Sequence, residues 1–231
     1  MRETERSIFE LVRPVRLDDI AGNARAKRLA RGLLAKGAKP GVIISGGFGT
    51  GKSTIARIFA RSIVCEAVGT DRPCGACTSC TYSPRNTALW GRGVSVRNCA
   101  KYSAEQLKED LEDALYASEA PHVLVLDEFH RAGFRVHDQL LTWLEDESAN
   151  LVVVIITPEP AKIEPALAQR LYSLPMEPPT PEEAMNFLRI ARDGFAPSVS
   201  DDTLAEICTA HRCVLRACLN DLYLCSVEGA S

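Results

Sequence analysis

The sequence predicts an α/β domain built on a parallel sheet, followed by a small all-helical domain, and three observations carry that expectation. Short apolar runs at Val42–Ile44, Val94–Val96, Val123–Leu126 and Leu151–Ile156 lack a polar face, as strands buried on both sides of a parallel sheet do. Segments with helical periodicity separate them. A proline-rich stretch, Pro175–Pro181, then ends the alternation, and the remainder is helical.

Each element has its own local signal. Before the third run, Ser103 and Gln106 form a capping-box signature, and Leu107, Leu111 and Leu115 follow on one helical face. After the third run, Leu140, Leu141 and Leu144 mark another helix. The sheet domain is expected to span 1–175. Thr180-Pro181-Glu182-Glu183 opens the second domain, 176–231, with another capping box and a proline at the first helical position. Helical patterns from Pro181 to Arg192, Ser200 to His211 and Val214 to Cys225 make it a three-helix domain.

Composition narrows the classes. With 231 residues, 46% hydrophobic and 25% charged, the chain has ample material for a core. The N-terminus is too charged for a secretory signal, and the longest aliphatic run, Leu151–Ile156, is far too short to span a bilayer, so a cytoplasmic protein is expected. A net charge of −3 argues against wholesale electrostatic attachment to nucleic acid. Cations nevertheless gather at Arg13, Arg16, Arg25, Lys27, Arg28, Arg31, Lys36 and Lys39, where a solvated helix face and a phosphate-binding surface both fit.

The first apolar run leads into Gly46-Gly47-Phe48-Gly49-Thr50-Gly51-Lys52-Ser53, which fits the phosphate-loop pattern G-x-x-x-x-G-K-[ST] between a strand and a helix. In such a loop the glycines turn backbone N–H groups toward a β-phosphate, and the helix N-terminus adds its positive end. Lys52 reaches the β- and γ-phosphates, and Ser53 ligates Mg²⁺. The third run ends in Asp127-Glu128: Asp127 is placed to hold the Mg²⁺ shell, and Glu128 to polarise an attacking water. These residues predict ATP binding and hydrolysis. His130 reads as a supporting or surface residue, since phosphoryl transfer has no need of it.

Nine cysteines in a chain of this size do not read as a disulfide framework. Cys74-x-x-Cys77-x-x-Cys80 puts three thiols on one loop, and Cys65 is the fourth candidate. Four thiolates suit a structural Zn²⁺ site with no open position, and an iron–sulfur cluster is the rival that the spacing leaves open. Cys99, Cys208, Cys213, Cys218 and Cys225 lack ligand spacing and read as buried small hydrophobes.

From about Arg13 to Leu224 the chain resembles the clamp-loader branch of AAA+ ATPases, most closely the gamma/tau subunits of bacterial DNA polymerase III. The resemblance runs through Arg13-Pro14 with Asp18-Asp19-Ile20-Ala21-Gly22, the phosphate loop with Ile55-Ala56-Arg57, and the four cysteines inserted after the loop helix. It continues through Leu126-Asp127-Glu128-Phe129-His130, Leu140-Leu141-Thr142-Trp143-Leu144-Glu145 and Glu159-Pro160-Ala161-Lys162-Ile163.

That resemblance implies roles beyond what spacing supplies. Thr157 is similar to the polar sensor near the γ-phosphate, Arg170 to the arginine finger that reaches a neighbouring subunit's ATP, and Arg216 to the sensor arginine of the helical lid. Ile20 and Thr54 join the nucleotide-binding set. The implied partners are other AAA+ subunits or further copies of the chain, a sliding clamp, and primer-template DNA held through its phosphates. Gln169 and Leu171 replace the serine and cysteine that usually flank the finger, Val12 the usual tyrosine, and Cys213 the usual lid glycine. The family continues past the lid into a helical collar; this sequence ends before one, so assembly is expected to use the AAA+ surfaces, a partner chain or further residues. A regulatory or scaffolding AAA+ module that binds nucleotide and a partner without loading a clamp is the alternative.

Overall fold

A computed structural model of the chain describes residues 12–67, 69, 72–81, 92–116, 121–145 and 150–228, without the side chains of Leu115, Tyr116 and Glu228. The expected contribution of Leu115 therefore lies outside it. The elements are α1 (Ala24–Ala35), β1 (Gly41–Ser45), α2 (Lys52–Ile63), α3 (Thr78–Thr81), β2 (Val94–Asn98), α4 (Ala104–Tyr116), β3 (His122–Asp127) and α5 (Phe134–Leu144). They continue with β4 (Leu151–Thr157), α6 (Pro165–Arg170), β5 (Tyr172–Pro175), α7 (Pro181–Phe195), α8 (Asp201–Ala210) and α9 (Leu215–Glu228). Among the described residues, no helix is long and apolar enough to cross a membrane.

The five strands form one parallel sheet in the order β2-β3-β4-β1-β5. β1 and β4 are buried along their whole length, which explains their unbroken apolar sequences. Alternate side chains face opposite layers. Ile43, Leu124, Leu126, Val153 and Ile155 pack with Leu107, Leu111, Phe129, Val136, Leu140 and Leu167 from α4, α5, α6 and the turn after β3. α2 packs against β1, β3 and β4.

Two strands differ from the sequence expectation. Among the described residues, β2 is an edge strand, half-buried at Val94–Val96 and exposed at Arg97 and Asn98, because only β3 pairs with it. Its apolar run is short for that reason. β5 forms the other edge and carries no periodic signal, since only Leu174 of its four residues is buried.

The capping signatures form as hydrogen bonds. Ser103 N–H donates to Gln106 Oε1 at 3.0 Å while Gln106 N–H donates to Ser103 Oγ at 3.3 Å. Thr180 N–H donates to Glu183 Oε2 at 2.9 Å, and Glu183 N–H returns to Thr180 Oγ1 at 3.3 Å, starting α7 at Pro181. Each such cap is worth about 1 kcal/mol.

The chain divides into two compact units. One contains Arg25–Gly46 and Lys52–Met176, the sheet with its helices. The other contains Met1–Ala24, of which 12–24 are described, with Gly47–Gly51 and Glu177–Ser231. Its core joins Ala184, Leu188 and Ala191 of α7, Leu204 and Ile207 of α8, and Leu219 and Leu222 of α9, with Val12 packed against it.

Candidate functional site

β1 ends at Ser45, whose carbonyl accepts the Met176 N–H at 2.7 Å. Gly46 has φ +142°, and a Cβ there would lie 2.2 Å from the Met176 carbonyl oxygen, so only glycine lets the chain leave the strand at this point. In the loop, Thr50 Oγ1 donates to the Gly47 carbonyl at 2.9 Å, and Gly49 and Gly51 adopt φ of +76° and +92°. Phe48 is exposed and Thr50 buried. α2 then begins at Lys52, only 8% exposed, followed by half-buried Ser53 and Thr54 and fully buried Ile55.

Strand register carries the other predicted groups to the same, carboxyl edge of the sheet. Ser45 pairs with Thr157, and Asn98 with Asp127. Asp127 is half-buried; its carbonyl accepts the Cys99 N–H at 2.8 Å, and its Oδ1 accepts the Glu128 N–H at 2.9 Å. Glu128 sits at φ 55°, ψ 39°, a left-handed conformation that non-glycine residues adopt at a cost of about 1–3 kcal/mol and that clusters at functional sites. Thr157 is fully buried, and its Oγ1 accepts the Glu159 N–H at 3.0 Å, a local bond that fixes the hydroxyl at the strand tip.

One neighbour escaped sequence reasoning. Glu159 brings Oε1 to 3.8 Å from His130 Nε2, and Glu128 Oε2 lies 3.6 Å from the same nitrogen. Lys162 in turn holds Glu159, with Nζ 3.0 Å from Oε2. Glu159 stands two residues after a buried threonine in Thr-Pro-Glu-Pro, but only the fold shows that this turn faces the one after β3. His130, 11% exposed at its side chain, therefore supports this carboxylate pair.

Arg170 ends α6. It donates to Glu145 Oε1 at 2.8 Å and to the Ala166 carbonyl at 3.2 Å, with 39% of its side chain exposed. In the other unit, Ile20 is 5% exposed and donates its N–H to Leu17 O at 3.3 Å. Arg216, the second residue of α9, is exposed.

The four predicted cysteines converge. The Sγ atoms of Cys65, Cys74, Cys77 and Cys80 all lie within 4.8 Å of one another. Tetrahedral thiolates about 2.3 Å from a zinc ion would stand about 3.8 Å apart, so the set fits such an ion with little contraction. Backbone N–H groups already face the sulfurs: Cys74 toward Cys65, Ala76 and Cys77 toward Cys74, and Cys80 toward Cys77, at 3.3–3.4 Å. The N–H groups of Ala76 and Cys77 bring the Cys74 thiol down to about 6, whereas burial and the neighbouring sulfurs push Cys80 up to about 12. Glu66 Oε1 accepts from Ser79 N–H and Oγ, and Arg61 of α2 donates to the Cys80 carbonyl at 3.0 Å, fastening the loop to the sheet domain.

The other cysteines pack as expected, with one exception. Cys99, Cys208, Cys213 and Cys218 are buried, and desolvation pushes Cys99 and Cys208 up to about 12 and Cys218 to about 11, which keeps them protonated. Cys208 and Cys213 bring their sulfurs to 3.4 Å. Cys225 is half-buried rather than buried, because the outer side of α9 faces solvent there.

Residues 42–174 match the family described as ATPase family associated with various cellular activities (AAA). The chain is 24% identical over 207 residues to DNA polymerase III subunit tau of Bacillus subtilis, an alignment covering 88% of this chain and 36% of the relative. It is 27% identical over 172 residues to DNA polymerase III subunit gamma/tau of Mycobacterium tuberculosis, covering 73% and 30%. The chain thus spans about a third of the length of these relatives. Among solved structures, the Thermotoga maritima RuvB Holliday junction branch migration motor superposes with a TM-score of 0.68 at 19% identity, covering 92% of this chain and 64% of the other, which is a likeness of fold.

Proposed function

This chain belongs to the AAA family of ATPases, and from that premise we propose that it is a clamp-loader-like subunit that binds and hydrolyses ATP within an oligomer to place a sliding clamp on primed DNA. The convergence of the four cysteine sulfurs beside α2 carries this reading, because the resemblance to gamma/tau subunits includes four cysteines inserted after the loop helix. The alignments to tau and gamma/tau subunits support it.

In this reading 1–175 is the ATPase domain and 176–231 the lid. Gly46–Thr54 cradle the triphosphate, with Lys52 neutralising charge on the β- and γ-phosphates as the bond to the leaving group breaks. Ser53 and Asp127 hold Mg²⁺, which supplies charge neutralisation when bound. Glu128 accepts the proton of the attacking water, and Thr157 orients that water or the γ-phosphate. Ile20 belongs to the nucleotide-binding set, Arg216 serves it as the sensor arginine of the lid, and Arg170 serves the ATP of an adjacent subunit. Cys65, Cys74, Cys77 and Cys80 hold zinc as a structural ion, which replaces the core that so short an insertion lacks. The partners are AAA+ subunits, a sliding clamp and primer-template DNA, in the cytoplasm.

The test is ATP turnover of the reconstituted assembly. Primed DNA together with its host's sliding clamp should raise turnover several-fold over either alone; turnover that ignores both would overturn the reading in favour of a regulatory AAA+ module.

A further inference from the structure

Helix α1 carries its charges against its own electrostatics. It reads Ala-Arg-Ala-Lys-Arg-Leu-Ala-Arg-Gly-Leu-Leu-Ala, with no acid in its first turn and no base in its last. Arg25 and Lys27 stand in the first turn, where the positive end of the helix dipole disfavours cations. Arg25 with Arg28, Arg28 with Arg31, and Lys27 with Arg31 are like charges at three- and four-residue spacing, which destabilises a helix. No acidic residue occurs from Ile20 to Cys65, in a chain whose net charge is −3. Positive charge is thereby concentrated on one short helix.

The same face is bare where a side chain would fit. Ala26 and Ala30 turn inward, fully buried, while Arg25, Arg28, Arg31, Gly32, Ala35 and Lys36 are exposed. Gly32 lies within the helix, where glycine is the poorest residue after proline. Packing does not require it, because a Cβ there would meet nothing within 4 Å. Gly32 and Ala35 leave the backbone open between the guanidinium groups and Lys36.

We propose that the exposed face of α1 is a docking strip for the phosphate backbone of a nucleic acid. Arg25, Arg28 and Arg31 take phosphates through their planar donor forks, Lys36 and Lys39 extend the strip, and Gly32 and Ala35 admit the sugar-phosphate chain close to the helix. From Arg25 to Ala35 the helix runs about 15 Å. That length follows several phosphates of one strand, which rise about 3.4 Å each along a duplex. Contacts of this kind fix position without reading sequence. The inference deepens the clamp-loader-like reading, and rests on it only in taking primer-template DNA as the nucleic acid.

The experiment is fluorescence anisotropy of labelled primer-template DNA with the full chain and ATP across a salt series. Arg25→Glu with Arg28→Glu should weaken binding at least about tenfold and make the salt slope shallower by about two. Lys108→Glu with Arg189→Glu, an equal change of charge elsewhere, should bind as the unaltered chain does. Gly32→Leu, which leaves the charge unchanged and favours the helix, should weaken binding several-fold with ATP turnover intact. The proposal is overturned if the α1 reversal binds no worse than the control reversal, or if Gly32→Leu binds fully. It is also overturned if the α1 reversal abolishes binding to anionic vesicles or an acidic peptide while sparing DNA. Loss of the strip with clamp-stimulated turnover intact condemns the strip alone; a working strip without such stimulation condemns the clamp-loading reading alone.

Discussion

Arg170, the last residue of α6, donates a hydrogen bond to Glu145 just beyond the end of α5, at 2.8 Å. An exposed pair of this kind contributes about 0–1 kcal/mol, so it holds the guanidinium near the surface without committing it there. If Arg170 serves a neighbour's ATP, Arg170→Ala should lower turnover of the assembled protein by roughly 10³- to 10⁵-fold with ATP affinity little changed. Glu145→Gln should leave turnover near its original level. Single-turnover kinetics on assembled protein separates the two.

Glu128 in its left-handed backbone position is the expected base. Glu128→Gln should cut hydrolysis about 10²- to 10⁴-fold while ATP binding stays within about twofold. A scaffolding module would keep its partner interaction in this variant; a loader would bind its clamp and fail to cycle. Nucleotide titration and steady-state turnover on one preparation measure both quantities.

At the four-sulfur cluster, Cys77→Ser should abolish retention of one zinc per chain by elemental analysis. It should also open the loop around Cys74–Cys80 to proteases. Chelation of the unaltered protein should do the same and be reversed by added zinc, since the ion's binding energy stabilises the folded loop. Iron in place of zinc would identify the iron–sulfur rival.

Burial lowers His137 and His122 below the usual imidazole value of 6.5. His137 stacks on Phe129 with centroids 4.6 Å apart, and its Nδ1 accepts the Glu164 N–H, which only an unprotonated nitrogen can do. Folded pKa values below the unfolded one mean stability that is full above about 6.5 and lost as pH falls through the folded values. Urea midpoints should fall between pH 7 and 5. The slope should be shallower in His137→Phe, which keeps the stack and loses the hydrogen bond at about 1 kcal/mol.

Gly46→Ala should cost at least about 2 kcal/mol, because its Cβ would meet the Met176 carbonyl at 2.2 Å in a backbone region closed to alanine. Equilibrium unfolding measures that loss without reference to ATP. A variant that unfolds like the unaltered chain would show that the exit from β1 relaxes freely.

The sequence by itself determined whatever one short stretch of chain decides. The apolar strands, the glycine loop, both capping boxes and the thiol triplet are local, because backbone conformation, helix capping and ligand spacing act over a few residues. Tertiary structure decided what depends on partners distant in sequence. Among the described residues, β2 is an edge because only β3 pairs with it, and β5 is a strand because β1 offers it a ladder. Cys65, already the fourth candidate by sequence, reaches the triplet because α2 ends beside the inserted loop. Glu159 meets His130 because the turns after β3 and β4 lie side by side at the carboxyl edge, and Arg170 meets Glu145 because α5 and α6 end beside each other, contacts that no local sequence pattern records.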